Sequence, residues 1–360
     1  MTDAVTDAMR SHPCEWPERF ERAHAAVCRF FGVADPEQLL LTPGCTSSLA
    51  TAIVNIDLLP GKRVLTSHWE HHAVDGPLQK LSEKGIEVER IAAGHDRPVD
   101  LGAFEKNLAR RDVGLVAVTA ACNVTGDLLP IERMTELSHQ YDAMVLIDAA
   151  QIVGWVDLAL DQLGADLVAF GGHKGLQAPW GIGGLYVAAS AIMKCPTAQC
   201  AIPDRNADDS GRPMGNRLVG NRPGYCDVGS VDQFSLAGLE ASINRLGETT
   251  RTHDLEIARG QASRLRETLS RSSRVTLFGS ADPDSRLPTI AFSVEGETSG
   301  ESANRLRRHG LIVGSGLQCS PVSHEALGTA ETGLVRISVG VRQPEHEIKI
   351  ATERLARFAE

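Results

Sequence analysis

The 360-residue chain reads as an α/β protein, a large domain with a mainly parallel sheet followed by a smaller C-terminal α+β domain. Three observations predict this class. Between about Gly32 and Gly184, short apolar runs alternate with helical stretches. The runs are continuously apolar, as in strands covered by helices on both faces. From about Thr252 the order changes to one long helical segment followed by closely spaced short strands.

Taken in order, Thr42-Pro43-Gly44-Cys45-Thr46-Ser47-Ser48 opens an apolar helix over Leu49 to Ile56. The strand-like runs are Arg63 to Thr66, Ile86 to Val88, Leu115 to Val118, Met144 to Ile147, Leu167 to Phe170 and Gly184 to Val187. Residues Cys195 to Gly224 are rich in Pro, Gly, Asn, Asp and Arg and read as a long loop, of a length that is usually functional or mobile. Beyond it come short strands at Arg274 to Leu277, Ile290 to Ser293, Leu311 to Val313 and Leu334 to Val339, then a helix from Pro344 with an acidic first turn. The expected division is a large domain over 20–245 and a small one over 246–360, with residues 1–19 packing with the latter.

A net charge of -10 argues against broad attraction to nucleic acid or anionic lipid. The basic cluster Arg305, Arg307 and Arg308 follows Glu301 on a helix and reads as a solvated face. The acidic N-terminus has no apolar core of a secretory signal, and the most apolar stretch, Ala143 to Leu160, is broken by Asp148, Gln151 and Asp157. A cytoplasmic protein is expected. Eight cysteines are scattered without a CxxC pair or a His/Cys ligand spacing, so neither a disulfide scaffold nor a metal site is expected.

Ligands of such sheets gather at the carboxyl ends of the strands. That places His68 to His72, Cys122-Asn123, Asp148 and His173-Lys174 on one rim. A lysine after one strand and an aspartate at the end of another suit pyridoxal phosphate (PLP): Lys174 would form a Schiff base with its aldehyde, and Asp148 would keep the pyridine nitrogen protonated. The helix start around Cys45 and Thr46 offers backbone N–H groups and hydroxyls to the cofactor phosphate. His71 could lie over the ring, and Asn123 and Gln151 could reach its phenolic oxygen. Taken singly, each of these residues also reads as an ordinary cap, turn or surface group.

The ordered set TPGCTSS, EHHA, CNVTG, IDAAQ, GGHKG with PWGIGGLY, and LQCSPVSHEALGT with VRISVG resembles the class V aminotransferase superfamily over roughly residues 30 to 345. Within it, the resemblance is to cysteine desulfurases and selenocysteine lyases. It implies a fold-type-I PLP enzyme, a homodimer with active sites near the subunit interface, and sulfur passed to an acceptor protein. By matching position it implies Lys174 as the Schiff-base lysine, Asp148 as partner of the pyridine nitrogen and His71 as the stacking residue. Asn123 and Gln151 would contact the ring oxygen. Thr46 and His173 would belong to the phosphate pocket, and Ser230 would reach the phosphate across the dimer. Cys319 matches the nucleophile that takes sulfur from L-cysteine as a persulfide, leaving alanine; its bland alternative is an inert small hydrophobe. Arg336 matches the arginine that holds the substrate carboxylate.

The sequence also departs from the family pattern. It begins past a Leu-Asp-Asn-Ala-Ala-Thr-like stretch that helps line the substrate pocket. Gly171 stands where a Ser or Thr usually donates to the phosphate. Gly314 replaces a common arginine and Gln318 a common histidine, which leaves the Cys319 loop less basic. A C–S lyase, an epimerase or an aminotransferase with Cys319 incidental is therefore the alternative, and a non-catalytic binder of sulfur carriers is a third reading.

Overall fold

The computed structural model describes residues 1–56, 58–91, 98–192, 232–247 and 251–359. A seven-stranded sheet contains β1 (Leu39–Thr42), β2 (Arg63–Thr66), β3 (Val88–Arg90), β4 (Val113–Thr119), β5 (Met144–Asp148), β6 (Leu167–Gly171) and β7 (Gly183–Val187). Its order is β1-β7-β6-β5-β4-β2-β3. The pairs from β3 across to β6 are parallel, whereas β7 runs antiparallel to both β6 and β1. A second, antiparallel sheet holds β8 (Val275–Phe278), β9 (Thr289–Val294) and β10 (Val335–Ser338) in the order β10-β9-β8.

The continuous apolar runs have a simple physical origin. Successive side chains of a strand point to opposite faces, and here both faces are covered. Leu65, Val116, Val118, Val145, Ile147, Val168 and Phe170 pack into one core, and Val64, Leu115, Ala117, Met144, Leu146, Leu167 and Ala169 into the other. Asp148 continues the Met144, Leu146 row and so projects toward the second core, where the helix Cys45–Asn55 lies. A third core joins the small sheet to the helices Arg251–Ser270 and Glu345–Ala359 through Phe292, Leu265, Leu355 and Phe358.

Several expectations change. Leu39–Thr42 adds the edge strand β1, and Leu311 to Val313 forms no strand: only Gly314 pairs, in an isolated bridge with Arg336. Ile312 is 85% exposed, whereas Leu311 and Val313 are half-buried against the third core without joining its sheet. The main contacts of residues 1–19 lie away from the small sheet. The helix Thr2–Arg10 lies on the helix Gln233–Gly247, where a Cβ at Gly238 would meet Pro179 at 2.3 Å and Val5 at 3.4 Å. Arg305 is half-buried and does not belong to a wholly solvated face. Its guanidinium stacks 3.7 Å from the Phe358 ring centre and donates to the Phe358 carbonyl at 2.6 Å, while Arg307 and Arg308 are exposed.

The five described cysteines are free, and among the described residues no helix is long and apolar enough to cross a membrane. The loop read over Cys195 to Gly224 lies outside the described residues.

Candidate active site

The parallel strands deliver their C-terminal loops to one rim of the large sheet. Asp148 ends β5, Lys174 follows β6 by three residues, His71 and His72 follow β2, and Asn123 follows β4. Two glycines set how close the first two loops come. A Cβ on Gly175 would lie 2.3 Å from the Val153 carbonyl oxygen, and one on Gly154 would lie 2.2 Å from the Gly175 carbonyl carbon. Gly154 also has φ +83°, a left-handed conformation that glycine adopts without strain. The backbone after Lys174 is therefore pressed against the turn that follows Asp148.

Asp148 is 4% exposed and tightly held. Its Oδ1 accepts from the Ala150 amide at 2.9 Å and from the Cys45 thiol at 3.3 Å. Burial first, then the neighbouring Asp148 charge, pushes the Cys45 thiol well above its ordinary pKa, so it stays a proton donor. The Lys174 ammonium opposes that shift, which puts lysine, thiol and carboxylate in one electrostatic neighbourhood. Sequence reasoning placed Cys45 at the phosphate end; in the structure its side chain supports the aspartate.

His71 is the N-cap of the helix His72–Glu83, its Nδ1 accepting from the Ala73 amide at 3.1 Å. Burial, and then the charges of His72, Lys174 and Arg336, hold its pKa down at about 4, so the imidazole is neutral near pH 7. His173 stacks on Trp180 with ring centres 4.3 Å apart, and burial followed by the Lys174 charge lowers its pKa. Thr46 is exposed in the first turn of the helix Cys45–Asn55, and Gln151 is half-buried in the turn after β5. Ser230 lies outside the described residues.

The second sheet contributes the opposite wall. Arg336 on β10 donates from Nη1 to the Asn123 carbonyl at 2.6 Å. Asn123 in turn donates from Nδ2 to the Gln318 carbonyl at 2.8 Å and accepts from the Ser320 hydroxyl at 2.7 Å. Between these anchors lies Cys319, exposed, with its carbonyl accepting from the His72 amide at 2.8 Å. Gln318 and Cys319 have φ of 51° and 62°, two consecutive left-handed residues that form the turn carrying the exposed thiol. One ligand-type atom from each of His71, His72 and Cys319 lies within 4.8 Å of the others.

Sequence reasoning missed Glu70. It is fully buried, accepts from the Ser67 hydroxyl at 2.5 Å, and leaves Oε2 without a partner among the described residues. Burial chiefly, with Asp148 adding repulsion, pushes its pKa up to about 8. The signal that could have found it is its place in EHHA directly after a buried strand. Ser320 was also missed as a support for Asn123.

The rim offers the kinds of donor that PLP requires. Gly44, the N-cap of the helix Cys45–Asn55, brings no capping side chain, so the first helical N–H groups are left to an external acceptor. A buried carboxylate whose Oδ1 is fixed by two donors, a lysine in the adjacent loop and a neutral imidazole complete a set suited to a phosphate, a pyridine nitrogen, an aldehyde and a flat ring. The residues fit the group.

The family model described as aminotransferase class-V matches residues 4–350. A probable cysteine desulfurase of Mycolicibacterium paratuberculosis is 28% identical over 359 residues, covering 95% of this chain and 49% of that protein. A second from Mycobacterium leprae, also 28% identical over 359 residues, covers 95% of this chain and 55% of its own length. The chain thus spans about half the length of these relatives. The apo structure of cysteine desulfurase from Thermococcus onnurineus superposes with a TM-score of 0.86 at 24% identity, over 99% of this chain and 91% of that one, a likeness of fold. With the match extending over nearly the whole sequence, the chain belongs to the aminotransferase class-V family.

Proposed function

We propose that the chain is a PLP-dependent cysteine desulfurase, which takes sulfur from L-cysteine onto Cys319 and releases alanine. The observation that carries this is the exposed thiol of Cys319 held beside His71, on the rim that also bears Lys174 and Asp148. PLP bound there supplies an electron sink that labilises bonds at the α-carbon of an amino acid.

The chain's own residues divide the remaining work. Lys174 and Asp148 hold the cofactor at its aldehyde and ring-nitrogen ends, with Cys45 and the Ala150 amide orienting Asp148. Thr46, His173 and the helix start at Cys45 hold the phosphate, and Ser230 joins them from the second subunit of a homodimer. His71, a neutral imidazole, would stack on the ring, and Asn123 and Gln151 would bind its oxygen. Arg336 binds the substrate carboxylate by charge-assisted hydrogen bonds, its position braced by the Asn123 carbonyl. Lys174 moves the α-proton. The Cys319 thiolate attacks the substrate sulfur, the carbon–sulfur bond breaks, and the sulfur stays as a persulfide while the carbon skeleton leaves as alanine. The exposed loop then offers that persulfide to a sulfur-acceptor protein.

We assign the large domain to 20–245 and the small one to 246–360, with the site between the two sheets. A cytoplasmic location accords with free thiols at the five cysteines among the described residues.

A second reading, another class V reaction such as C–S lysis, epimerisation or amino transfer, is favoured by one feature. Gly314 and Gln318 bring no cation to the loop of Cys319. Incubation of the purified protein with L-cysteine, with and without reductant, separates the two. Alanine that disappears in Cys319→Ala supports the first, whereas pyruvate with ammonia, or amino transfer to a keto acid, overturns it.

A further inference from the structure

We propose that His71, His72 and Cys319 form a site for a thiophilic transition-metal ion, Zn2+ above all, whose binding switches the enzyme off. The binding part stands on geometry alone, and the inhibitory part rests on the desulfurase reading given above. The three ligand-type atoms already lie within 4.8 Å of one another. Tetrahedral zinc, with bonds of about 2.0–2.3 Å, needs its ligand atoms about 3.3–3.6 Å apart. Closure by about 1 Å completes three corners, and the fourth stays open to water.

The local chain makes that closure cheap. Cys319 and His72 are exposed, and both belong to segments tied together by the His72 amide and the Cys319 carbonyl. The His71 and His72 rings are 4.3 Å apart and inclined by 33°, because His71 is an extended N-cap and His72 the first helical residue. Ligation through Nδ1 of His71 would replace its cap bond from the Ala73 amide at 3.1 Å, and on the desulfurase reading it also competes with the stacking of His71 on the cofactor ring. As the metal–sulfur bond forms, Cys319 releases its S–H proton to solvent and no electron is transferred.

The surroundings select the ion. Arg336 acts on His71 as a positive charge, and Lys174 does so until it is bonded to the cofactor. A hard cation held by charge alone is repelled, whereas an ion with covalent affinity for thiolate and imidazole is not. Mg2+ and Ca2+ should therefore be excluded. A bound ion occupies the sulfur lone pair that attacks the substrate, so metal binding and turnover exclude each other.

The test uses the PLP-loaded protein, freed of metal and titrated with Zn2+ against a chromophoric chelator, with Co2+ as a spectroscopic substitute. One ion per chain and a thiolate-to-cobalt charge-transfer band are expected. Cys319→Ser should remove the band. His72→Ala should weaken Zn2+ binding by about tenfold or more and leave metal-free turnover as in the parent protein. Absence of the band in the parent protein, or unchanged Zn2+ affinity in His72→Ala, overturns the site. Unchanged alanine formation at saturating Zn2+ overturns the switch. Metal-free protein that forms no alanine but keeps the band defeats the desulfurase reading and leaves the metal site supported.

Discussion

The two walls of the site are built on opposite plans. The Asp148 wall consists of strand ends: Asp148 is buried, its Oδ1 takes two donors, and glycines press its loop against the one that carries Lys174. The Cys319 wall is a turn with two left-handed residues and an exposed thiol, held at its edges by hydrogen bonds to His72 and Asn123. The difference teaches where precision and reach are each needed. On the proposed function, the groups that would hold a ring in register sit at the strand ends of the sheet, and the thiol that would meet both a substrate and an acceptor sits on a tethered loop.

The largest effects should separate the walls. Lys174→Ala should lower alanine formation by roughly three orders of magnitude and also lose the absorbance band of the lysine–cofactor imine. Cys319→Ala should lower alanine formation by roughly two orders of magnitude or more while that absorbance is retained. Loss of absorbance in both variants would mean that the walls are not independent.

Next comes Glu70. Its native pKa of about 8 lies above that of an unfolded glutamate, so it contributes stability at low pH that is lost as pH rises from about 4.5 to 8. Glu70→Gln keeps the acceptor for Ser67 and should stabilise the fold on the order of 2 kcal/mol at pH 8, with little change at pH 4. Thermal unfolding at the two pH values checks the sign; equal shifts at both would refute the assigned titration.

Ser320→Ala removes the donor to Asn123 and should cost about 1 kcal/mol. Turnover should fall more than cofactor affinity does, as measured by kcat beside a PLP titration. The smallest effect expected is that of Gly171→Ser. A Cβ there would sit 3.5 Å from the Cys45 Cβ and 3.7 Å from the His173 ring, ordinary contacts, so the added hydroxyl has room. PLP should bind about threefold to tenfold more tightly, the worth of one hydrogen bond of about 1 kcal/mol; weaker binding would count against a phosphate seat beside Gly171.

The rigid wall was also the legible one. Runs such as Met144 to Ile147 are apolar on both faces because both are covered, and the rim residues followed from the strand ends. The antiparallel direction of β7 left no local mark, since Gly183–Val187 is as apolar as its parallel neighbours. Leu311 to Val313 misled, because β-propensity says nothing about whether a neighbouring strand exists. On the loop, neither Gln318 nor Cys319 is a glycine, so nothing in the sequence announced two left-handed residues. The assignment of Cys319 as a nucleophile came from its resemblance to a family, and the bonds that tether its loop are long-range contacts to Asn123 and His72 that no local pattern encodes.

The bond from the His72 amide to the Cys319 carbonyl has a kinetic consequence. Every excursion of the sulfur-bearing turn away from the sheet must free that amide to solvent, so its hydrogen exchange counts loop openings directly. An acceptor protein that draws the turn outward would speed exchange at this single backbone position, giving the delivery step a reporter separate from the chemistry.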